Sequence, residues 1–255
     1  MTETLTYAGY LGLDELLSLQ RPRSEPEHPE ELHFIVVHQA LELWFKLLLH
    51  DLGRVVATID ADDWTGALVL LRRVNAVMET GLDQMRSLHD MPPSSFHEFR
   101  SYLGEASGLQ SVQFRELEVL SGLRDPIYLA TLRAFGDGQL PAPITRRLEQ
   151  RSLAEAHAEA AERVGIRDWA GFYADPSDGA FYLLCETLVD YDERWIRWRQ
   201  EHITLVERSL GARTRGTAGT AITYLERTVR YRFFPHMWEL RHDLSVRGGG
   251  ELVGE

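Results

Sequence analysis

Cysteine is almost absent from this sequence: Cys185 is the only one among 255 residues. A single thiol excludes an internal disulfide and a thiolate zinc cluster, and its apolar helical surroundings point to packing rather than to a nucleophile. Positive charge is also in short supply. Lys and Arg number 27 against 39 Asp and Glu, a formal net charge of -12, which disfavours a surface that tracks phosphates, so no nucleic-acid partner is expected. The opening Met1-Thr2-Glu3-Thr4 lacks the basic and apolar character of a secretory leader. No uninterrupted apolar run is long enough for a bilayer, since Leu47-Leu48-Leu49 meets His50 and Asp51 at once. These absences predict a cytoplasmic protein with no membrane partner. Strand-like alternation is scarce, and neither an internal repeat nor a disordered linker is visible.

What remains is helical periodicity. Hydrophobic residues make up 44% and charged residues 26%, an ordinary globular balance. Apolar positions recur at three and four residues from Leu32 to about Val56, and again from Trp64 to Leu88 after the acidic Asp60-Ala61-Asp62-Asp63. Pro92-Pro93 breaks the chain, with Ser94 or Ser95 expected to cap a helix through about Leu103. Ser107-Gly108 opens a turn before a helix to about Leu120. Shorter helices follow around Asp125-Pro126 and Leu140-Pro141, then long ones from about Gly179 to Leu210 and from Ala221 to Leu244. The prediction is an all-α helical bundle, one domain over residues 1–255, with a frayed tail over 246–255. Most of the six tryptophans should be core or interface residues.

Context sorts the histidines. His28, His33, His50, His89, His97, His157 and His242 have polar or charged neighbours and suit surface or capping roles. His38 lies in the apolar run Phe34-Ile35-Val36-Val37-His38, and His202 follows Trp195 and Trp198 on one helical face. Either is compatible with a satisfied core histidine or with a ligand. A non-haem metal held by both needs a third ligand, and no His-x-x-x-His pair or suitably placed Glu-x-x-His supplies it. Glu42 shares a face with His38 and reads as solvent-facing. Haem needs only one histidine, and without Cys-x-x-Cys-His it would be held non-covalently. Arg100 is spaced with Phe96 and Leu103 on one helical face, where a guanidinium pairs with a carboxylate of a ligand or of another helix. Gly216-Thr217-Ala218-Gly219-Thr220 lets backbone approach a small ligand but is no phosphate loop, because no Gly-Lys-Ser/Thr follows.

Taken in order, these segments resemble the tryptophan 2,3-dioxygenase family across nearly the whole chain. Tyr7-Ala8-Gly9-Tyr10-Leu11 is similar to its N-terminal Tyr-x-x-Tyr-Leu. Phe34 to Lys46 resembles the signature Phe-Ile-x-x-His-Gln-x-x-Glu-Leu-Trp-x-Lys, the most specific match. Phe96 to Gln110 resembles Phe-Arg-x-x-Leu…Ala-Ser-Gly-Phe-Gln, and Trp198-Arg199-Gln200-Glu201-His202 the segment that carries the haem ligand. Two departures stand out. The region from about Gly122 to Pro176 is shorter and more divergent, and the glycine loop reads Gly-Thr-Ala-Gly-Thr in place of Gly-Thr-Gly-Gly-Ser.

The resemblance implies an all-α, oligomeric haem oxygenase with haem b and O2, acting on tryptophan or a close derivative. It implies His202 as the iron ligand, with Ser107 and Trp198 at the cofactor. His38 would be catalytic, on the distal side, accepting a hydrogen bond from the indole N–H. Phe34, Phe96 and Leu103 would wall the indole, Arg100 would bind the substrate carboxylate, and Thr217 would meet the amino-acid group. Tyr7 and Tyr10, in a segment over residues 1–20, would close a neighbouring subunit's site in a homotetramer. The expected reaction is cleavage of the C2–C3 bond to N-formylkynurenine. The alternatives are a 2-oxindole-forming haem monooxygenase on tryptophan or β-methyltryptophan and a sensor that binds without turnover.

Overall fold

A computed structural model describes residues 5–135, 138–211 and 222–247. Three long helices set the frame: α3 (Pro29–Asp60), α4 (Trp64–Arg86) and α11 (Gly179–Leu210), with α4 packed between α3 and α11. Before them come two short helices, α1 (Tyr7–Leu11) and α2 (Leu13–Leu16); between them run α5 (Pro93–Phe99), α6 (Val112–Ser121), α7 (Pro126–Phe135), α8 (Ala142–Leu148), α9 (Leu153–Val164) and α10 (Trp169–Ala174). After α11 come α12 (Ile222–Thr228) and α13 (Pro235–Arg247). No strand occurs among the described residues, as the all-α expectation requires.

Local chemistry explains the helix starts. His28 caps α3, its Nδ1 accepting the Glu30 N–H, and Pro29 takes the first helical position, where a missing N–H costs nothing. Asp63 caps α4 by accepting the Gly66 N–H at 2.8 Å. Helix α3 is long and apolar enough, by length and composition, to cross a membrane, although charged residues interrupt its apolar run. Its stripe Val37, Leu41, Phe45, Leu48, Leu52 and Val55 is instead part of the main core.

Two boundaries differ from expectation. Neither Ser94 nor Ser95 caps α5: Pro93 starts it, and its α-helical part ends at Phe99, with a 3-10 turn over Arg100–Leu103. The helix expected from Ala221 to Leu244 is broken between Thr228 and Pro235. There the buried Asp192 carboxylate accepts the N–H groups of Phe233 and Phe234 and the Trp238 indole N–H. One side chain of α11 thus replaces the helical partners that the break removes. Trp195 and Trp198 are buried and the other four tryptophans half-buried, and Cys185 is wholly buried.

His157 is a correction: it is not a surface residue but wholly buried, stacked on Phe181 and Trp169, with Nε2 3.4 Å from the Cys185 sulfur. Its polar sequence neighbours face outward while the α9 face it occupies is alanine-rich and turned to the core. Burial, then the nearby His236, pushes its pKa down from 6.5 to about 3. The unfolded chain therefore takes up a proton between those values that the native state refuses. Stability attributable to this ring is complete above pH 6.5 and falls as pH drops toward about 3, by about 1.4 kcal/mol per pH unit. His157→Phe should flatten the acid limb of urea-unfolding midpoints by up to that slope; an unchanged limb would contradict the assignment.

Candidate active site

Helices α3 and α11 each turn one stripe toward a shared cavity of about 290 Å³. Phe34, His38, Leu41, Glu42 and Phe45 come from α3, and Trp198, Arg199, His202, Leu205 and Val206 from α11, each set at the spacing that keeps side chains on one helical face. Met85 follows from the end of α4, Leu88 from the 3-10 turn after it, Phe96 from α5, Ser107 and Leu109 from the turn before α6, and Phe114, Arg115 and Glu118 from α6. Residues Tyr224, Leu225 and Thr228 of α12 complete this part of the wall.

The two histidines are in different states of satisfaction. His38 Nδ1 donates to the Phe34 carbonyl at 2.7 Å, which fixes the tautomer and leaves Nε2 as a bare acceptor. Burial lowers its pKa, with the Phe34 hydrogen bond and Glu42 opposing. The Phe34 ring lies 4.0 Å from the His38 ring and 5.7 Å from Phe96. His202 has no hydrogen-bond partner for either ring nitrogen among the described residues. Burial first, then the charges of His38 and Arg115, lower its pKa to about 4, so at neutral pH it presents a neutral imidazole with a free lone pair to the cavity.

Trp198 backs this wall. It meets Phe45 at 5.7 Å and Phe114 at 6.1 Å between ring centroids, and its indole covers Gly81 of α4, where an added Cβ would stand 3.0 Å from the ring. Glycine is required there by close approach rather than by backbone angle.

Of the residues singled out in the sequence, Phe34, His38, Phe96, Ser107, Trp198 and His202 meet at this cavity. Arg100 and Leu103 do not line it; they are half-buried on the 3-10 turn that follows α5. The Arg100 N–H still bonds the Phe96 carbonyl as in an α-helix, and the 3-10 winding changes the spacing only beyond it, toward Leu103. Tyr7 and Tyr10, on α1, are 77% and 74% exposed, and Thr217 lies outside the described residues. Glu42, read as solvent-facing, is a correction: it lines the cavity, accepting from Ser111 Oγ at 2.5 Å and Gln113 Nε2 at 2.8 Å. Sequence reasoning also missed Arg115, Glu118 and Arg199, although Arg115 and Glu118 are one turn apart, as are Arg199 and His202.

A family model described as tryptophan 2,3-dioxygenase matches residues 1–170 and 169–244. The chain belongs to the tryptophan 2,3-dioxygenase family. A protein named tryptophan 2,3-dioxygenase from Herpetosiphon aurantiacus is 38% identical over 96% of this chain and 100% of its own length. One of the same name from Anaeromyxobacter sp. strain K is 40% identical over 93% of this chain and 95% of its own. A third, from Caulobacter vibrioides, is 37% identical over 96% of this chain and all of its own length.

This is a family of haem-dependent dioxygenases, and the residues present fit haem. His202 offers an unprotonated, unpartnered nitrogen in a largely apolar cavity, and the facing histidine cannot donate from Nε2 in its fixed tautomer. A bare metal ion fits less well, because no group of three or more His, Cys, Asp or Glu is placed to hold one among the described residues.

Proposed function

We propose that this chain holds haem b through His202 and uses O2 to cleave the C2–C3 bond of the L-tryptophan indole, giving N-formylkynurenine. The observation that carries this reading is the pair of neutral histidines in one cavity, His202 unpartnered and His38 fixed as an acceptor at Nε2. When bound, haem supplies the uptake of oxygen and the oxidising chemistry on the ring; the protein supplies position, a dry pocket and hydrogen bonds.

His38 Nε2 accepts the indole N–H, a neutral bond that contributes about 1 kcal/mol net. That bond orients the ring against Phe34 and Phe96, with Leu103 at its edge. The family resemblance, rather than the cavity lining, assigns the substrate carboxylate to the planar fork of Arg100 and the amino-acid group to Thr217. Trp198 and Ser107 lie against the cofactor. The apolar wall excludes water, which strengthens these contacts and protects the reacting carbon from side reactions. Tyr7 and Tyr10 reach the site of a neighbouring subunit in a homotetramer. Their exposure supports this, together with that of Leu5, Leu11 and Leu17 on the same segment, because exposed apolar patches of this kind mark interfaces.

The test is turnover by the haem-loaded chain: reduce it without oxygen, then admit oxygen and L-tryptophan. A ring-opened product carrying two added oxygen atoms supports the reading, whereas an intact ring with one added oxygen contradicts it.

Gly81→Ala probes the wall behind the cofactor. The new Cβ pushes the Trp198 ring toward the cavity, at a cost of about 1–3 kcal/mol, while alanine returns about 1 kcal/mol of helix propensity. Urea unfolding should therefore move by less than about 2 kcal/mol, while haemin titration of the apoprotein should show severalfold weaker uptake. Unchanged uptake would place Trp198 away from the cofactor.

A further inference from the structure

The cavity wall beside His202 carries charges that the oxygenation reading leaves unused. Arg115 Nη1 donates to Glu118 Oε2 at 2.7 Å, and Arg199 Nη2 donates to Glu118 Oε1 at 3.0 Å. The Tyr128 hydroxyl adds a third bond to Oε2 at 2.7 Å. Two guanidinium groups thus share one carboxylate. All three charged groups line the cavity, and they are 8%, 1% and 5% exposed for Arg115, Glu118 and Arg199.

The sum is one surplus positive charge held out of water. Among the described residues, no second carboxylate pairs with either guanidinium. Arg199 Nη1 donates to the neutral Tyr231 carbonyl at 3.3 Å, and its guanidinium lies over Trp195 and Phe233. The Arg115 guanidinium lies 4.6 Å over the Phe114 ring. The remaining acid on this wall, Glu42, belongs to the α3 stripe and is held by Ser111 and Gln113.

The surplus lies on the His202 side. Arg199 precedes His202 by one turn of α11, and the Arg115 charge bears on the His202 ring, whereas the charge that bears on His38 is Glu42. A buried charge is screened far less than one in water and acts over several ångströms. A fixed positive charge favours whichever state of a neighbouring redox centre holds the extra electron, and such surroundings are a main lever on haem iron potentials.

We propose that the Arg115–Glu118–Arg199 triad raises the reduction potential of iron held at His202, keeping it in the ferrous form that takes up oxygen. The inference rests on the reading of His202 as the iron ligand. The electron comes from an external one-electron reductant, and the triad neither gives nor accepts it. These are positioning residues acting through the field.

The test is the midpoint potential of the haem-loaded protein, read by spectroelectrochemistry in charge-changing variants. Arg115→Gln removes the surplus and should shift the ferrous-to-ferric ratio about tenfold toward ferric at fixed ambient potential, about 59 mV for one electron. Glu118→Gln enlarges the surplus and should shift the potential in the opposite direction. Arg115→Lys and the double variant Arg115→Gln/Glu118→Gln keep the net charge and should stay near the wild-type potential. A merely structural role moves all variants alike or tracks their loss of stability. Potentials that do not order by net charge overturn the proposal. Haem content and visible spectrum of wild type and His202→Ala are recorded in the same series. If the wild type takes up no haem, or if His202→Ala leaves its spectrum unchanged, the ligand reading fails and the inference with it; normal ligation with unmoved potentials overturns the triad alone.

Discussion

His202→Ala is expected to abolish stable haem retention in the purified protein. The imidazole is the strong protein bond to iron in the proposed site, and the rest of the wall offers mainly apolar contact. Alanine also leaves α11 intact, because it is the best helix former and His202 donates no hydrogen bond that the fold depends on. The loss should therefore appear in the Soret band and not in the helical circular dichroism. Exogenous imidazole fits the space left behind and should restore part of the bound haem. A variant with unaltered haem content and spectrum would rule out His202 as the ligand.

Arg100→Lys should weaken tryptophan binding by at least about tenfold, because lysine cannot reproduce the two-pronged contact with a carboxylate. His38→Ala removes one neutral acceptor, about 1 kcal/mol net, and should keep haem and measurable activity while losing discrimination for the indole N–H. The comparison that separates them is affinity for tryptophan against its decarboxylated analogue, tryptamine. Arg100→Lys should narrow the gap between the two ligands, and His38→Ala should leave it wide. If both variants lose haem and fold with the gap unmoved, the two residues are structural.

Helical periodicity made α3, α4 and α11 legible, because long amphipathic elements repeat one physical signal many times over. Breaks caused by tertiary contacts were not legible. The gap between α12 and α13 depends on Asp192, more than forty positions upstream of the N–H groups it satisfies, and no local window contains that information. His157 failed for the same reason: its neighbours in sequence are polar, but the helix turns only its alanine-rich face, and the ring with it, into an aromatic cluster. At the site, the residues with recognisable sequence context, Phe34, His38, Trp198 and His202, line one cavity. Glu42 and the Arg115–Glu118–Arg199 group escaped because charged residues on helices are most often solvated, and burial overrode that prior here. Leu103 lies beyond the point where α5 gives way to 3-10 geometry, a change that no local spacing announces.

In the proposed function, His202 holds haem and His38 sets an indole ring for attack by both atoms of O2 in one largely apolar cavity. The most direct measurement of that claim is a single turnover of the reduced, haem-loaded protein with L-tryptophan under isotopically labelled oxygen, read by product mass. The account predicts N-formylkynurenine carrying both labelled atoms. A product with one labelled atom and an intact ring, or no product from fully haem-loaded protein, would contradict it.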